Sequence, residues 1–113
     1  MSTTDLAWLW RILVERQSAA PEASYTARLL DAGVDRVAQK VGEEATETVI
    51  AAIRAAHGED RDRHELVGEA ADLVYHLLVL LLASGVSLEE VTEELEKRHR
   101  ESGAVRASPG EGR

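Results

Sequence analysis

The chain has no cysteine in its 113 residues, which rules out disulfides and thiolate metal sites and suits a reducing compartment. It has no strand-like alternation of apolar and polar residues and no internal repeat. Its most apolar run, Leu77 to Ala83, falls well short of the roughly 20 residues a membrane span requires. The N-terminus, MSTTDLAWLW, has no basic segment ahead of its apolar stretch and does not read as a secretory signal. These absences predict a cytoplasmic protein with no membrane partner. Basic residues are also in short supply: 13 Lys and Arg stand against 21 Asp and Glu, a net charge of −8. That argues against a nucleic-acid binder, which usually carries a basic patch. A phosphate-rich substrate would have to be met by a few local cations or by a bound metal.

What is present reads as helix throughout. The length fits one domain able to bury a core without much margin, and 44% hydrophobic with 30% charged residues is ordinary globular composition. Thr3 or Thr4 is a candidate cap for a first helix from about Asp5 to Ala19, with Leu6, Leu9, Trp10 and Leu13 on one face and Pro21 breaking it. Ser24 caps a short helix, Tyr25 to Ala32, that stops at Gly33. A long helix follows from about Asp35 to Ala56, with apolar positions Val37, Val41, Ala45, Thr48, Ala52 and Ala56 at three- and four-residue steps. The segment GEDRDR, Gly58 to Arg63, reads as a polar turn. The fourth helix runs from about His64 to Ser84. Its second half, LLVLLLA, is apolar all round and therefore expected to be buried on every side. So short a chain covers such a helix most economically with a second copy of itself. Ser87-Leu-Glu-Glu90 is a capping box for a last helix to about Glu101. The expected architecture is all-α, a bundle of about five helices completed by dimerisation. Residues 1–101 form the domain and 102–113, rich in Gly and Ser, a disordered tail.

Two pairs of acidic residues carry the chemistry. Glu44 and Glu47 lie three apart in the third helix, Glu69 and Asp72 three apart in the fourth. That spacing puts each pair on one helix face. Both pairs stand beside apolar stripes, where a carboxylate is costly unless something neutralises it. A divalent cation shared between two antiparallel helices would do so, and a short turn forces that antiparallel arrangement. An all-oxygen donor set favours Mg²⁺ or Mn²⁺, which keep waters for a phosphate to replace. Di-iron bundles instead use Glu-x-x-His, and neither Glu44 nor Glu69 has His at the third position. The same spacing also arises among solvated surface glutamates. Height is a second issue: Glu44 and Glu47 sit mid-helix, Glu69 and Asp72 early in theirs, so alignment needs a frayed third helix or a climbing turn.

Several other residues are candidates. Lys40, one turn before Glu44, is placed either to meet a substrate phosphate or to pair with Glu44. Arg28 and Arg36 flank the entry to the long helix and could meet phosphates. Glu43 could orient or deprotonate water. His76 shares a face with Glu69 and Asp72 and could touch substrate, or be a hydrogen-bonded histidine at a helix interface. Each of these is otherwise a surface charge or packing residue. Gly42 costs up to about 1 kcal/mol against alanine inside a helix, which invites a reason such as close approach of a ligand or another helix. Trp8 and Trp10 read as core or interface.

Ser24-Tyr25-Thr26 followed by Leu29, then Lys40-Val-Gly-Glu-Glu44-x-x-Glu47, then Gly68-Glu-Ala-Ala-Asp72-Leu-x-Tyr75-His76, resembles the phosphoribosyl-ATP pyrophosphatases of histidine biosynthesis over about residues 6 to 100. The Lys-x-Gly-Glu-Glu-x-x-Glu and Glu-x-x-Asp runs mark the wider MazG-like superfamily of all-α NTP pyrophosphatases. The resemblance implies a homodimer with sites built partly from both subunits. It implies hydrolysis of the α–β phosphoanhydride of 1-(5-phosphoribosyl)-ATP to 1-(5-phosphoribosyl)-AMP and pyrophosphate. By the family's motif Glu44, Glu47, Glu69 and Asp72 would bind Mg²⁺, with Lys40 and Glu43 in the site. Glu43 or Glu47 would position the attacking water, and Lys40, Arg28 or Arg36 would share charge with the metal. The chain is too short for the cyclohydrolase domain fused to many relatives. Rival readings are a general (d)NTP pyrophosphatase of the same superfamily and a non-catalytic helical dimerisation module.

Overall fold

A computed structural model describes residues 5–58 and 60–105. Five α-helices follow one another: α1 (Ala7–Arg16), α2 (Tyr25–Ala32), α3 (Val34–His57), α4 (Asp60–Ala83) and α5 (Leu88–Val105), with one 3₁₀ turn at Pro21–Ala23. No strand occurs among the described residues. Asp5, through Oδ1, accepts the Ala7 N–H at 3.1 Å at the start of α1, while Thr3 and Thr4 lie outside the described residues. Past Arg16 the backbone tightens into bonds three residues apart as far as Ala19, so α1 ends earlier than its pattern suggests. The last helix runs four residues past the expected boundary at 101, to Val105, and the rest of the expected tail lies outside the described residues.

The other helix ends follow their capping chemistry. Ser24 Oγ accepts the Ala27 N–H at 3.3 Å. Gly33, at φ 101°, takes the left-handed turn that lets α3 follow α2 without a loop. At the end of α4, Val86 N donates to Leu81 O and Gly85 N to Leu82 O, with Gly85 at φ 74°. That is a Schellman turn and needs a residue free of Cβ strain. Ser87 and Glu90 cap α5 reciprocally, Glu90 N to Ser87 Oγ and Ser87 N to Glu90 Oε2, both at 3.1 Å.

The polar turn is much shorter than its composition suggests. Only positions 58 and 59 separate α3 from α4, and Asp60 to Arg63 already form the first turn of α4. Asp60 and Asp62 there face the positive end of the helix dipole, so a polar run that reads as loop is a favourable helix start. The two long helices form an antiparallel hairpin. Glu47 and Glu69 each lie eleven residues from Gly58, and Glu44 and Asp72 each fourteen. At a rise of about 1.5 Å per residue the two carboxylate pairs therefore stand at equal height, without fraying of α3.

The buried face of α3 is rotated from the expected one. Val37, Glu44 and Ala51 are buried and Val41, Thr48 and Ala55 half-buried, whereas Ala52 and Ala56 are exposed. Alanine satisfies either face, so the apolar count followed a second stripe in part. That stripe, Ala38, Gly42, Ala45, Val49, Ala52, Ile53 and Ala56, is uncharged and, apart from half-buried Ala45, exposed. The core proper joins Trp10 and Leu13 of α1, Leu29 of α2, Val37 of α3 and Leu78 and Val79 of α4. Burying each large side chain is worth about 1.5–3 kcal/mol. Trp8, by contrast, is exposed. All-round burial of LLVLLLA is not met within one protomer: Leu78 and Val79 are closed, but Leu77 is 42% exposed and Leu80 to Ala83 are half-buried. As a whole α4 is long and apolar enough to cross a bilayer by length and composition, a test that core helices also pass.

Candidate active site

Glu44 occupies an inward position of α3, between Val41 and Thr48, and is only 9% exposed. Its Oε1 is buried without a hydrogen-bond partner, although His76 Nδ1 of α4 lies 2.5 Å away. The short separation is an ion-pair contact whose angles do not make a hydrogen bond. Nδ1 also meets the Asp72 carbonyl oxygen at 3.0 Å. Such an orphaned carboxylate oxygen has lost its hydration without replacement.

Glu47, one turn on, is exposed and reaches across to half-buried Glu69 of α4. The Glu69 carboxyl is pushed above its ordinary value, first by loss of hydration and then by the charge of Glu47 and of Asp72, a hydrogen bond shared with Glu47, and the charge of Glu65. Like charges this close cannot all ionise freely, and one holds its proton more tightly. The predicted pairs are thus brought together, Glu47 with Glu69 most directly, Asp72 beside them and Glu44 behind. Among the described residues no three His, Asp or Glu side chains converge into a ready-made cation cage. A hard cation fits the donor set: it would offset the loss of hydration and the like charge that raise Glu69, and carboxylate oxygens are the donors such an ion takes.

Arg36, Lys40, Glu43 and Glu47 follow one another at steps of four, three and four along α3, one stripe on the side of Asp72 and Glu65. Lys40 is half-buried and makes no ion pair among the described residues, so pairing with Glu44 is not its role here. Glu43 is exposed and accepts a hydrogen bond from Gln39 Nε2 at 3.1 Å. Arg36 is exposed. Arg28 sits 5.7 Å above the Tyr25 ring and donates to Pro21 O at 3.4 Å. Towards the hairpin turn a cleft of about 480 Å³ is lined by Arg54, Arg61, Asp62 and Glu65, two cations that no motif had singled out.

Residues 6–99 match the family described as Phosphoribosyl-ATP pyrophosphohydrolase. The chain belongs to that family. It is 52% identical over 103 residues to a phosphoribosyl-ATP pyrophosphatase of Methylobacterium nodulans, covering 91% of both chains. It is 46% identical to one of Agrobacterium fabrum, covering 96% of this chain and 100% of the relative. It is also 54% identical over 92 residues to the histidine biosynthesis bifunctional protein HisIE of Escherichia coli K12, spanning 42% of that longer protein.

Within this family member, His76 stands apart from the other candidates. It is 5% exposed, with Nε2 2.8 Å from the Tyr25 hydroxyl and Nδ1 facing Glu44 and the Asp72 carbonyl. Both ring nitrogens are engaged inside the protomer, which leaves none for a substrate. Tyr25 and Tyr75 were not singled out as site residues. Yet Tyr25 stacks on Tyr75 at 6.1 Å, and the Tyr75 hydroxyl is hydrogen-bonded to buried Thr26. Both lie in the runs that carry the family resemblance, Ser24-Tyr25-Thr26 and Asp72-Leu-x-Tyr75-His76, and Tyr75 packs against the core.

Proposed function

We propose that the protein hydrolyses the α–β phosphoanhydride of 1-(5-phosphoribosyl)-ATP, giving 1-(5-phosphoribosyl)-AMP and pyrophosphate in the second step of histidine biosynthesis. Family membership over most of the chain supports the substrate. The observation that carries the chemistry is the meeting of Glu47 with Glu69 across the hairpin, nearly one turn from the facing pair Glu44 and Asp72. These four residues hold Mg²⁺, or Mn²⁺ in its place. When bound there, such an ion would supply positive charge to polarise phosphate oxygens and offset charge on the departing pyrophosphate. Lys40, unpaired on the same stripe, meets phosphate charge, joined by Arg36 or Arg28. Glu43 or Glu47, both exposed at the mouth, orients a water for in-line attack on phosphorus. With net charge −8 the chain has few other means of holding a polyphosphate.

The working unit is a homodimer in the cytoplasm, acting on a small nucleotide and on neither nucleic acid nor membrane. Val34, Val49, Ile53, Val67 and Leu77 are 42–63% exposed on one side of the α3–α4 hairpin, opposite the carboxylate stripe. Gly42 belongs to this side, and a methyl group added there meets nothing within 4 Å of its own chain. A second copy packed on this face accounts for the glycine as a close helix approach.

The test is pyrophosphate release from enzymatically made phosphoribosyl-ATP, with and without Mg²⁺, beside Glu44→Gln. Metal-dependent release that vanishes in the variant is expected. Equal turnover of dNTPs would move the protein to the general NTP pyrophosphatases, and no release from either would favour a non-catalytic module.

A further inference from the structure

We infer that His76 and Tyr25 are positioning residues for the metal site: His76, anchored by the Tyr25 hydroxyl, aims the Glu44 carboxylate from behind. The inference rests on the metal-dependent reading of the four carboxylates. It starts from an imbalance. Glu44 is a buried acid at a core position, and His76 Nδ1 is the group within ion-pair distance of its orphaned Oε1, at 2.5 Å. The other neighbour of Nδ1 is the Asp72 carbonyl oxygen at 3.0 Å. Both neighbours are acceptors, so Nδ1 must carry a hydrogen. Nε2 lies 2.8 Å from the Tyr25 hydroxyl, which in the Nδ1–H tautomer donates to it.

The ring has little freedom to choose otherwise. Tyr25 and Tyr75 both meet it edge-on at 85°, with centroids 5.8 and 5.0 Å away. Tyr25 is in turn fixed by its stack on Tyr75 and by the Ser24 cap one residue earlier. Thus α2, which carries none of the four carboxylates, sets the direction of one of them through a two-link chain. Nδ1 is hydrogen-bonded to the Asp72 carbonyl of α4 and in close contact with Glu44 Oε1 of α3, so one ring atom meets both helices that supply the carboxylates. Outer partners that orient a metal ligand are worth about 10- to 100-fold in metal affinity.

A residue that merely fastens α2 to the hairpin would also be buried and hydrogen-bonded, so the test must separate fastening from aiming. Mg²⁺ affinity of the metal-free protein is measured by calorimetry, beside melting temperature, for the wild type, His76→Leu, His76→Asn and Tyr25→Phe. The Asn amide nitrogen falls where Nδ1 stood and restores the N–H facing Glu44 but not the link to Tyr25. The expected result is a roughly 10- to 100-fold loss of Mg²⁺ affinity in His76→Leu. Recovery of most of it in His76→Asn and a smaller loss in Tyr25→Phe, which keeps its ring stack, complete the pattern. Nitrogen NMR of the metal-free wild type is expected to show the Nδ1–H tautomer. Melting temperatures that fall while all variants bind Mg²⁺ like the wild type would reduce His76 to a fastener and overturn the inference, as would an Nε2–H tautomer. A wild type that binds no Mg²⁺ would overturn the metal site itself, and this inference with it.

Discussion

The two sides of the α3–α4 hairpin are unfinished in opposite ways. On one, Glu47, Glu69 and Asp72 crowd together with Glu44 behind them, and loss of hydration and then that like charge raise the Glu69 carboxyl. On the other, Val49, Ile53 and Val67 present more than half their surface to solvent. The first side has too much like charge and the second too little cover. Both defects arise from one periodicity: α3 carries a polar stripe through Lys40, Glu43 and Glu47 and an uncharged stripe through Gly42, Val49 and Ile53, on either side of the line that meets α4. On such a hairpin a cation would relieve one side, and a second helical surface would cover the other.

The largest expected effect comes from the charged side. Replacing Glu44 by Gln, or Asp72 by Asn, is expected to cut pyrophosphate release by about 10²-fold or more, the scale of losing one preorganised electrostatic contact. Steady-state turnover at saturating Mg²⁺ checks it. Unchanged turnover would mean that the crowded carboxylates are solvated surface charge and the two sides differ only in polarity.

The apolar side is broken next. By sedimentation the wild type is expected to be a dimer, and Ile53→Glu or Val49→Glu is expected to leave a folded helical monomer. Each change removes about 1.5–3 kcal/mol of apolar burial per copy and inserts a charge that a close interface cannot hydrate. If the variants sediment like the wild type, the exposed face is not the subunit contact. A smaller effect returns to the first side: saturating Mg²⁺ is expected to raise the melting temperature, by about 2.7 kcal/mol of stabilisation at one hundred times Kd. Calorimetric scans with Mg²⁺ and with chelator measure it, and Ile53→Glu should retain the shift wherever the site lies within one protomer.

Much of this organisation was legible in the residues, and the parts that were not share a cause. The caps at Ser24, Gly33 and Ser87 depend on local backbone chemistry and appear where expected. The spacing of the four carboxylates is legible in the sequence, and the structure sets the two pairs on facing helices. The α3 face was misread because alanine carries no directional signal and because Glu44, a buried charge, takes a place that an apolar count leaves blank. The turn was misread because Asp60 and Asp62 suit a loop by polarity and a helix start by electrostatics, and only the fold distinguishes the two. The burial of LLVLLLA was overestimated for the protomer because composition measures what must be covered without saying by which chain.

The smallest effect sharpens the contrast between the two sides through pH. The Glu69 pKa is raised in the folded chain, so the folded state holds that proton more tightly than the unfolded one. Well below the ordinary value of 4.5 both states are protonated and the group is neutral to stability. As pH climbs through 4.5 and past the raised folded value, the unfolded state gives up the proton first, and folding stability without metal falls. Above the folded value the penalty is complete. Glu69→Gln removes the titration, so without metal the variant should melt at the same temperature as wild type in acid and slightly higher near neutrality. With Mg²⁺ the order should reverse, because the wild type gains a partner for the charge and the variant does not. Thermal scans at acidic and neutral pH, each with Mg²⁺ and with chelator, read all four corners. A wild type more stable than Glu69→Gln near neutrality without metal would mean that the carboxylates are not crowded at all, and the charged side would lose its reason to bind a cation.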